Sequence, residues 1–159
     1  MVKLFMKDKC CIFCTLNEDE TFEAGRILAG IARGVVRLEG NLGAGKTVLA
    51  RGIAAGLGIE GYITSPTFNI VNVYEKEELV FNHMDAYRIT DPDMLYDIGF
   101  DEIVEDGYIT VIEWADMIGE ALETGGFRVQ IEHSGEMDKR LIRLEGPGEK
   151  VEEFAGKLK

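Results

Sequence analysis

"GNLGAGKT", residues 40–47, follows the apolar run "VVRLEG" and opens "KTVLARGIAAGL", whose Val48, Leu49, Ile53 and Leu57 recur at helical spacing and whose stop is Gly58. A buried strand, a glycine-rich turn and a helix, in that order, predict a phosphate-binding loop. Every fixed position of G-x-x-x-x-G-K-[ST] is filled, by Gly40, Gly45, Lys46 and Thr47, and Gly43 frees the backbone further. Together with Asn41, Leu42 and Ala44, these residues are expected to turn successive backbone N–H groups toward phosphate oxygens at the positive end of a helix. Lys46 is placed to reach the β- and γ-phosphates, and the Thr47 hydroxyl to ligate Mg²⁺.

Outward from the loop the chain alternates. "CCIFCTL" reads as a strand and "NEDETFEAGRILAGIARG" as an amphipathic helix with apolar Phe22, Ile27, Leu28 and Ile31. "TFNIVNVYE" and "LVFNHMD" read as strands paired around the polar turn 76–78, and "TDPDMLYDIG" as a helix with Asp91 at its cap, Pro92 in its first turn and Gly99 at its end. "YITVIEW" is a strand covered on both faces, "FRVQIEH" and "RLIRLEG" a closing hairpin, and "GEKVEEFAGKLK" a last helix. The expected fold is α/β: one P-loop NTPase domain over residues 1–159, three-layered, with a mixed parallel and antiparallel sheet.

A length of 159 residues at 46% hydrophobic suits one core, and a net charge of −12 argues against unaided binding to a phosphate backbone or an anionic membrane. No apolar run approaches the ~20 residues that span a bilayer, and the charged N-terminus is unlike a secretory signal, so a cytoplasmic location is expected. Cys10, Cys11 and Cys14 are odd in number and crowded into one strand, which is no disulfide framework. Cys11 and Cys14 form a CxxC, but only His83 and His133 could complete a zinc site, so the cysteines read as apolar strand residues.

A P-loop ATPase also needs an acid at the end of a second buried strand and a group that positions water. Glu113, ending "ITVIE", is assigned to the metal. Asp85, ending "LVFNHMD", is assigned to the water or the outer metal shell, and period two puts His83 on its face. Pro66 pushes Ser65 into an extended conformation, so Ser65 or Thr67 could sense the γ-phosphate; the same residues also suit an ordinary loop entering a strand. Arg88 could neutralise transition-state charge or pair with Asp91 or Asp93. No N-K-x-D is present, and the one D-x-x-G, residues 116–119, lies beyond its strand, so ATP is favoured over GTP.

The series "GNLGAGKT", "SPTFNIV", "HMDAYR" and "IEW", in that order and at these spacings, resembles the TsaE (YjeE) family of small ATPases in tRNA threonylcarbamoyladenosine formation. The likeness covers residues 20–114 clearly and the tail in general shape. It includes Thr21, in the position of a family threonine near the nucleotide, and supports Thr47 with Glu113 as the Mg²⁺ pair and Asp85 as a catalytic carboxylate beside Lys46. Val48 stands where a second Thr is common, Asn41 where an acid is frequent, and Ala115 where Pro is common; none of these removes a group that touches phosphate or metal.

The resemblance implies slow ATP hydrolysis by the isolated chain and work inside a complex with the TsaD and TsaB proteins, where TsaD modifies adenosine 37 of tRNAs reading codons that begin with A. tRNA would then be met through the complex, which suits an acidic subunit. A P-loop small-molecule kinase is the alternative, although the Arg-rich lid such a kinase carries is missing and the chain after the P-loop helix offers only Arg88 and the scattered Arg128, Arg140 and Arg143. A nucleotide-gated binding module is the third reading.

Overall fold

The computed structural model describes residues 1–66, 69–121 and 126–158. Its strands are β1 (Val2–Lys7), β2 (Cys10–Thr15), β3 (Gly34–Glu39), β4 (Val71–Lys76), β5 (Leu79–Asp85), β6 (Ile109–Glu113), β7 (Phe127–His133) and β8 (Arg140–Glu145). The helices are α1 (Glu18–Ala29), α2 (Lys46–Gly56), α3 (Pro92–Asp97), α4 (Phe100–Asp106) and α5 (Gly148–Lys157), and a kinked 3₁₀ segment, Ala115–Ala121, follows β6.

All eight strands join one sheet in the order β1-β2-β8-β7-β3-β6-β5-β4. β7, β3, β6 and β5 are parallel neighbours, whereas β1, β2 and β8 on one side and β4 on the other pair antiparallel. This is the expected mixed sheet. Strand alternation divides its side chains between two cores. Val36, Leu38, Val111, Val129 and Ile131 pack with Leu28, Leu49, Ile53 and Phe154 of α1, α2 and α5. Met84 and Ile112 point the other way, to Leu95, Phe100 and Ile118 around α3, α4 and the 3₁₀ segment. β6 is buried at all five positions because both cores cover it.

α1 keeps part of its expected face. Thr21, Ala24, Gly25, Leu28 and Ala29 are its buried positions and Ile31 beyond its end is buried too, but Phe22 and Ile27 are only half-buried. The reason is a glycine contact: a Cβ on Gly52 would lie 2.1 Å from the Phe22 carbonyl oxygen, and one on Gly25 would lie 2.3 Å from that of Leu49. Small residues bring α1 and α2 together backbone to backbone, and the larger Phe22 is pushed to the margin. β1, α4 and the 3₁₀ segment are further elements beyond the sequence expectation. The strand expected from residue 67 starts at Val71, and its first two residues lie outside the described ones.

Candidate nucleotide site

β3, β6 and β5 end at one level, since Leu38 pairs with Glu113 and Glu113 with Asp85. The loop of residues 40–45 leaves β3 at this edge, the usual ligand edge of an α/β sheet. Gly43 and Gly45 have φ of 76° and 113°, which only glycine adopts without strain. Gly45 also caps α2 with no side-chain hydrogen bond, so no side chain competes for the first N–H groups of the helix.

Lys46 is 4% exposed. Its Nζ donates to the carbonyls of Gly40 at 2.6 Å and Asn41 at 2.9 Å, folding the side chain back along the loop. Burial draws the Lys46 amine below its usual value, against the opposing pull of Glu113, Asp116 and Asp85. Trp114 has φ of 56°, uncommon for a non-glycine residue, and its ring lies 3.9 Å from Lys46 Nζ, while Tyr87 packs against that ring at 5.0 Å between centroids.

Glu113 is 2% exposed and is the hub of the site. Its Oε1 accepts from Thr47 Oγ1 at 2.9 Å, and its Oε2 accepts from Ser65 Oγ and meets His83 Nε2, both at 2.5 Å. Burial raises this carboxyl, but the His83, Ser65 and Thr47 bonds outweigh it and hold the group below its ordinary value. His83 is fully buried, and among the described residues its Nδ1 has no partner. The Nε2–H tautomer, which leaves Nδ1 a bare acceptor rather than an orphaned donor, fits both nitrogens. Arg51 holds the incoming loop by donating to the Ile63 carbonyl at 2.7 Å, which brings Ser65 within reach of Glu113.

The donor chemistry fits Mg²⁺. Thr47 and Ser65 lie 2.9 Å apart through their hydroxyl oxygens, yet each hydroxyl has one proton and gives it to Glu113. Lone pairs on both oxygens are therefore left beside an anionic carboxylate, an all-oxygen set for a hard cation. Among the described residues no three His, Cys, Asp or Glu side chains form a metal cage. A cation here would share its shell with phosphate oxygens, as Mg²⁺ does in nucleotide sites.

Asp85 is half-buried, and its carboxylate accepts the Tyr87 N–H at 2.9 Å. Burial raises its carboxyl, with Glu113 adding to the effect and the Tyr87 bond, His83 and Lys46 opposing it. Thr21 lies beside the loop: a Cβ on Gly45 would sit 3.6 Å from its methyl, while its hydroxyl bonds Thr15 at 2.8 Å and the Asn17 carbonyl at 3.2 Å. Arg88 is exposed, and Asp91 is occupied as the cap of α3. Thr67 lies outside the described residues. Cys11 is buried in the core, while Cys10 and Cys14 are half-buried along β2.

The sequence model of the family described as "Threonylcarbamoyl adenosine biosynthesis protein TsaE" matches residues 15–142. The chain belongs to the TsaE family. Its similarity to the Bacillus subtilis (strain 168) tRNA threonylcarbamoyladenosine biosynthesis protein TsaE is 36% identity over 146 residues, covering 91% of this chain and 90% of the relative. The Streptomyces coelicolor protein of that name is 38% identical over 138 residues, covering 80% of this chain and 91% of the relative. A crystal structure of Bacillus subtilis YdiB superposes with a TM-score of 0.74 at 32% identity, covering 96% of both chains. The P-loop NTPase fold is thus shown by the sheet, the loop and this neighbour together. No helix among the described residues is long and apolar enough to cross a membrane.

In this TsaE-family chain, sequence reasoning brought together Lys46, Thr47, Glu113 and Asp85, with Ser65 as one of two candidate hydroxyls. It missed two partners. His83 was legible as sharing the face of Asp85, not as a ligand of Glu113. Arg140 was legible only as a scattered arginine, yet its Nε donates to the Ala44 carbonyl of the loop at 2.8 Å.

Proposed function

We propose that this chain is an Mg²⁺-dependent ATPase acting in the threonylcarbamoylation of adenosine 37 in tRNA, in a complex with the TsaD and TsaB proteins in the cytoplasm. The observation that carries the reading is the hydrogen bond from Thr47 to Glu113 beside the loop, which joins the two parts of a P-loop hydrolase across 66 residues of chain. The reaction is ATP plus water to ADP plus phosphate. Bound Mg²⁺ would offset the charge on the β- and γ-phosphates, held through Thr47 and Glu113. The loop N–H groups bind the phosphates, Lys46 turns from its carbonyl partners to the β- and γ-oxygens, and Asp85 orients the attacking water or takes its proton. Raising the Asp85 carboxyl by burial makes it a better proton acceptor than an exposed aspartate.

Partner dependence is supported by the rim of the site. Leu42 on the loop is 87% exposed, Met137 in the β7–β8 turn 87%, and Tyr87 58%, an apolar fringe suited to a covering protein. Phosphate release from Mg·ATP, measured with TsaD, TsaB and tRNA present, tests the reading. Wild type should hydrolyse ATP and sustain repeated modification, whereas Asp85→Asn should bind ATP and do neither. Sustained modification over many turnovers by a non-hydrolysing Asp85→Asn protein would leave only a nucleotide-gated binding module.

A further inference from the structure

Arg140, the first residue of β8, donates to four backbone carbonyls: Nε to Ala44 at 2.8 Å, Nη2 to Gly43 at 3.4 Å, and Nη1 to Met137 at 2.9 Å and Lys139 at 3.0 Å. Among the described residues it forms no ion pair, whereas the neighbouring Arg128 and Arg143 are paired with Glu39 and Glu145. Its guanidinium lies at the wall of a cavity of about 210 Å³ that it shares with Glu18, Thr21, Gly43, Gly45, Val48 and Asp138. The hairpin also abuts the start of the loop, since a Cβ on Gly40 would lie 2.4 Å from the Ile131 carbonyl oxygen.

We propose that Arg140 is a positioning residue of the nucleotide site, fixing the phosphate loop from the β7–β8 hairpin. In a trans peptide the C=O and N–H point in opposite directions. Holding the Ala44 carbonyl on Nε therefore turns the Gly45 N–H away from Arg140, and the Gly43 carbonyl restrains the preceding peptide in the same sense. The loop glycines that allow a phosphate cradle also allow many other conformations, and the guanidinium fork selects one of them. No motif announces this role, because Arg140 lies 96 residues from Ala44.

The inference rests on the nucleotide reading and is tested separately from it. Calorimetry with Mg·ATP and with inorganic pyrophosphate, a probe of the loop without the base, compares wild type with Arg140→Gln, Arg140→Lys and the control Arg143→Gln. Arg140→Gln should weaken both ligands about tenfold or more, as expected for the loss of a charged hydrogen-bonding group. Arg140→Lys should fall between it and wild type, keeping the charge but not the fork, and Arg143→Gln should bind like wild type. The Gly45 amide proton should shift on pyrophosphate binding in wild type and less so in Arg140→Lys, which carries the test if the Gln variant does not fold. Wild-type affinity for pyrophosphate in either Arg140 variant would overturn the proposal. If wild type itself bound no ATP, the nucleotide reading would be the one that failed.

Discussion

Glu113 takes three bonds in a nearly water-free position, and each partner constrains what can replace it. A glutamine keeps the shape and can still accept from Thr47 through its oxygen, but its amide then stands at the Oε2 position and faces both Ser65 and His83. If His83 switches tautomer to accept, its buried Nδ1 becomes an orphaned N–H, at a cost of about 1–3 kcal/mol. Glu113→Gln should therefore fold with a lower urea midpoint and bind ATP without Mg²⁺ about as wild type does. It should also lose the tightening that Mg²⁺ confers, as read by titrating Mg²⁺ against ATP affinity; an unaltered magnesium titration would remove Glu113 from the metal site. Lys46→Ala acts differently, because in the proposed site the amine would meet phosphate rather than metal. Its ATP affinity should fall by at least ~100-fold, the loss of more than one charge-assisted bond, and unchanged calorimetric affinity would count against the loop reading. The placement of Lys46 and Thr47 was legible from eight residues because it is set by local backbone. The Ser65 and His83 contacts to Glu113 span 48 and 30 residues and depend on register and on Arg51, which spacing alone does not encode.

Among the elements, α2, which carries Lys46 and Thr47, packs backbone to backbone against α1. Its contact with α1 is made by Gly25, Gly52 and Gly56, where added Cβ atoms would meet backbone at 2.3, 2.1 and 2.8 Å. Helix propensity alone would make Gly52→Ala stabilising by about 1 kcal/mol. The clash is with the Phe22 carbonyl, which no rotamer relieves, so overpacking of about 1–3 kcal/mol or more decides the sign. Gly52→Ala should lower the melting temperature by several degrees and weaken ATP binding by shifting α2; a raised melting temperature would show that the helices can separate freely. Periodicity found the long helices and the buried strands because each has one dominant face. It did not find β1, where Lys3 and Lys7 interrupt the apolar pattern of an edge strand, a device that discourages pairing with other chains. It also missed α4, "FDEIVED", which is short and acidic with a single buried residue, Phe100. The order of strands was out of reach for another reason, since β7 beside β3 is a pairing between remote segments.

For the whole molecule, charge decides how it can meet RNA. The net charge is −12, and several of its cations are already occupied: Arg128 and Arg143 by acids, Lys46, Arg51 and Arg140 by carbonyls. Nucleic-acid affinity without sequence readout comes from displacing counterions with Lys and Arg, and even basic proteins reach only about 10⁻⁴–10⁻⁶ M in that mode at physiological salt. The isolated chain should therefore show no tRNA binding up to about 10⁻⁴ M in a filter assay at ~0.15 M salt. Retention of tRNA should appear only when TsaD and TsaB are added, and the association of this chain with them should change between ATP and ADP, because the exposed Leu42 belongs to the loop proposed to hold the phosphates. If the chain alone bound tRNA tightly, with affinity falling steeply as salt rises, a basic surface would be operating despite the overall charge. Binding to TsaD and TsaB that ignored the nucleotide would separate the phosphate loop from the partner face and leave hydrolysis without a route to the modification machinery.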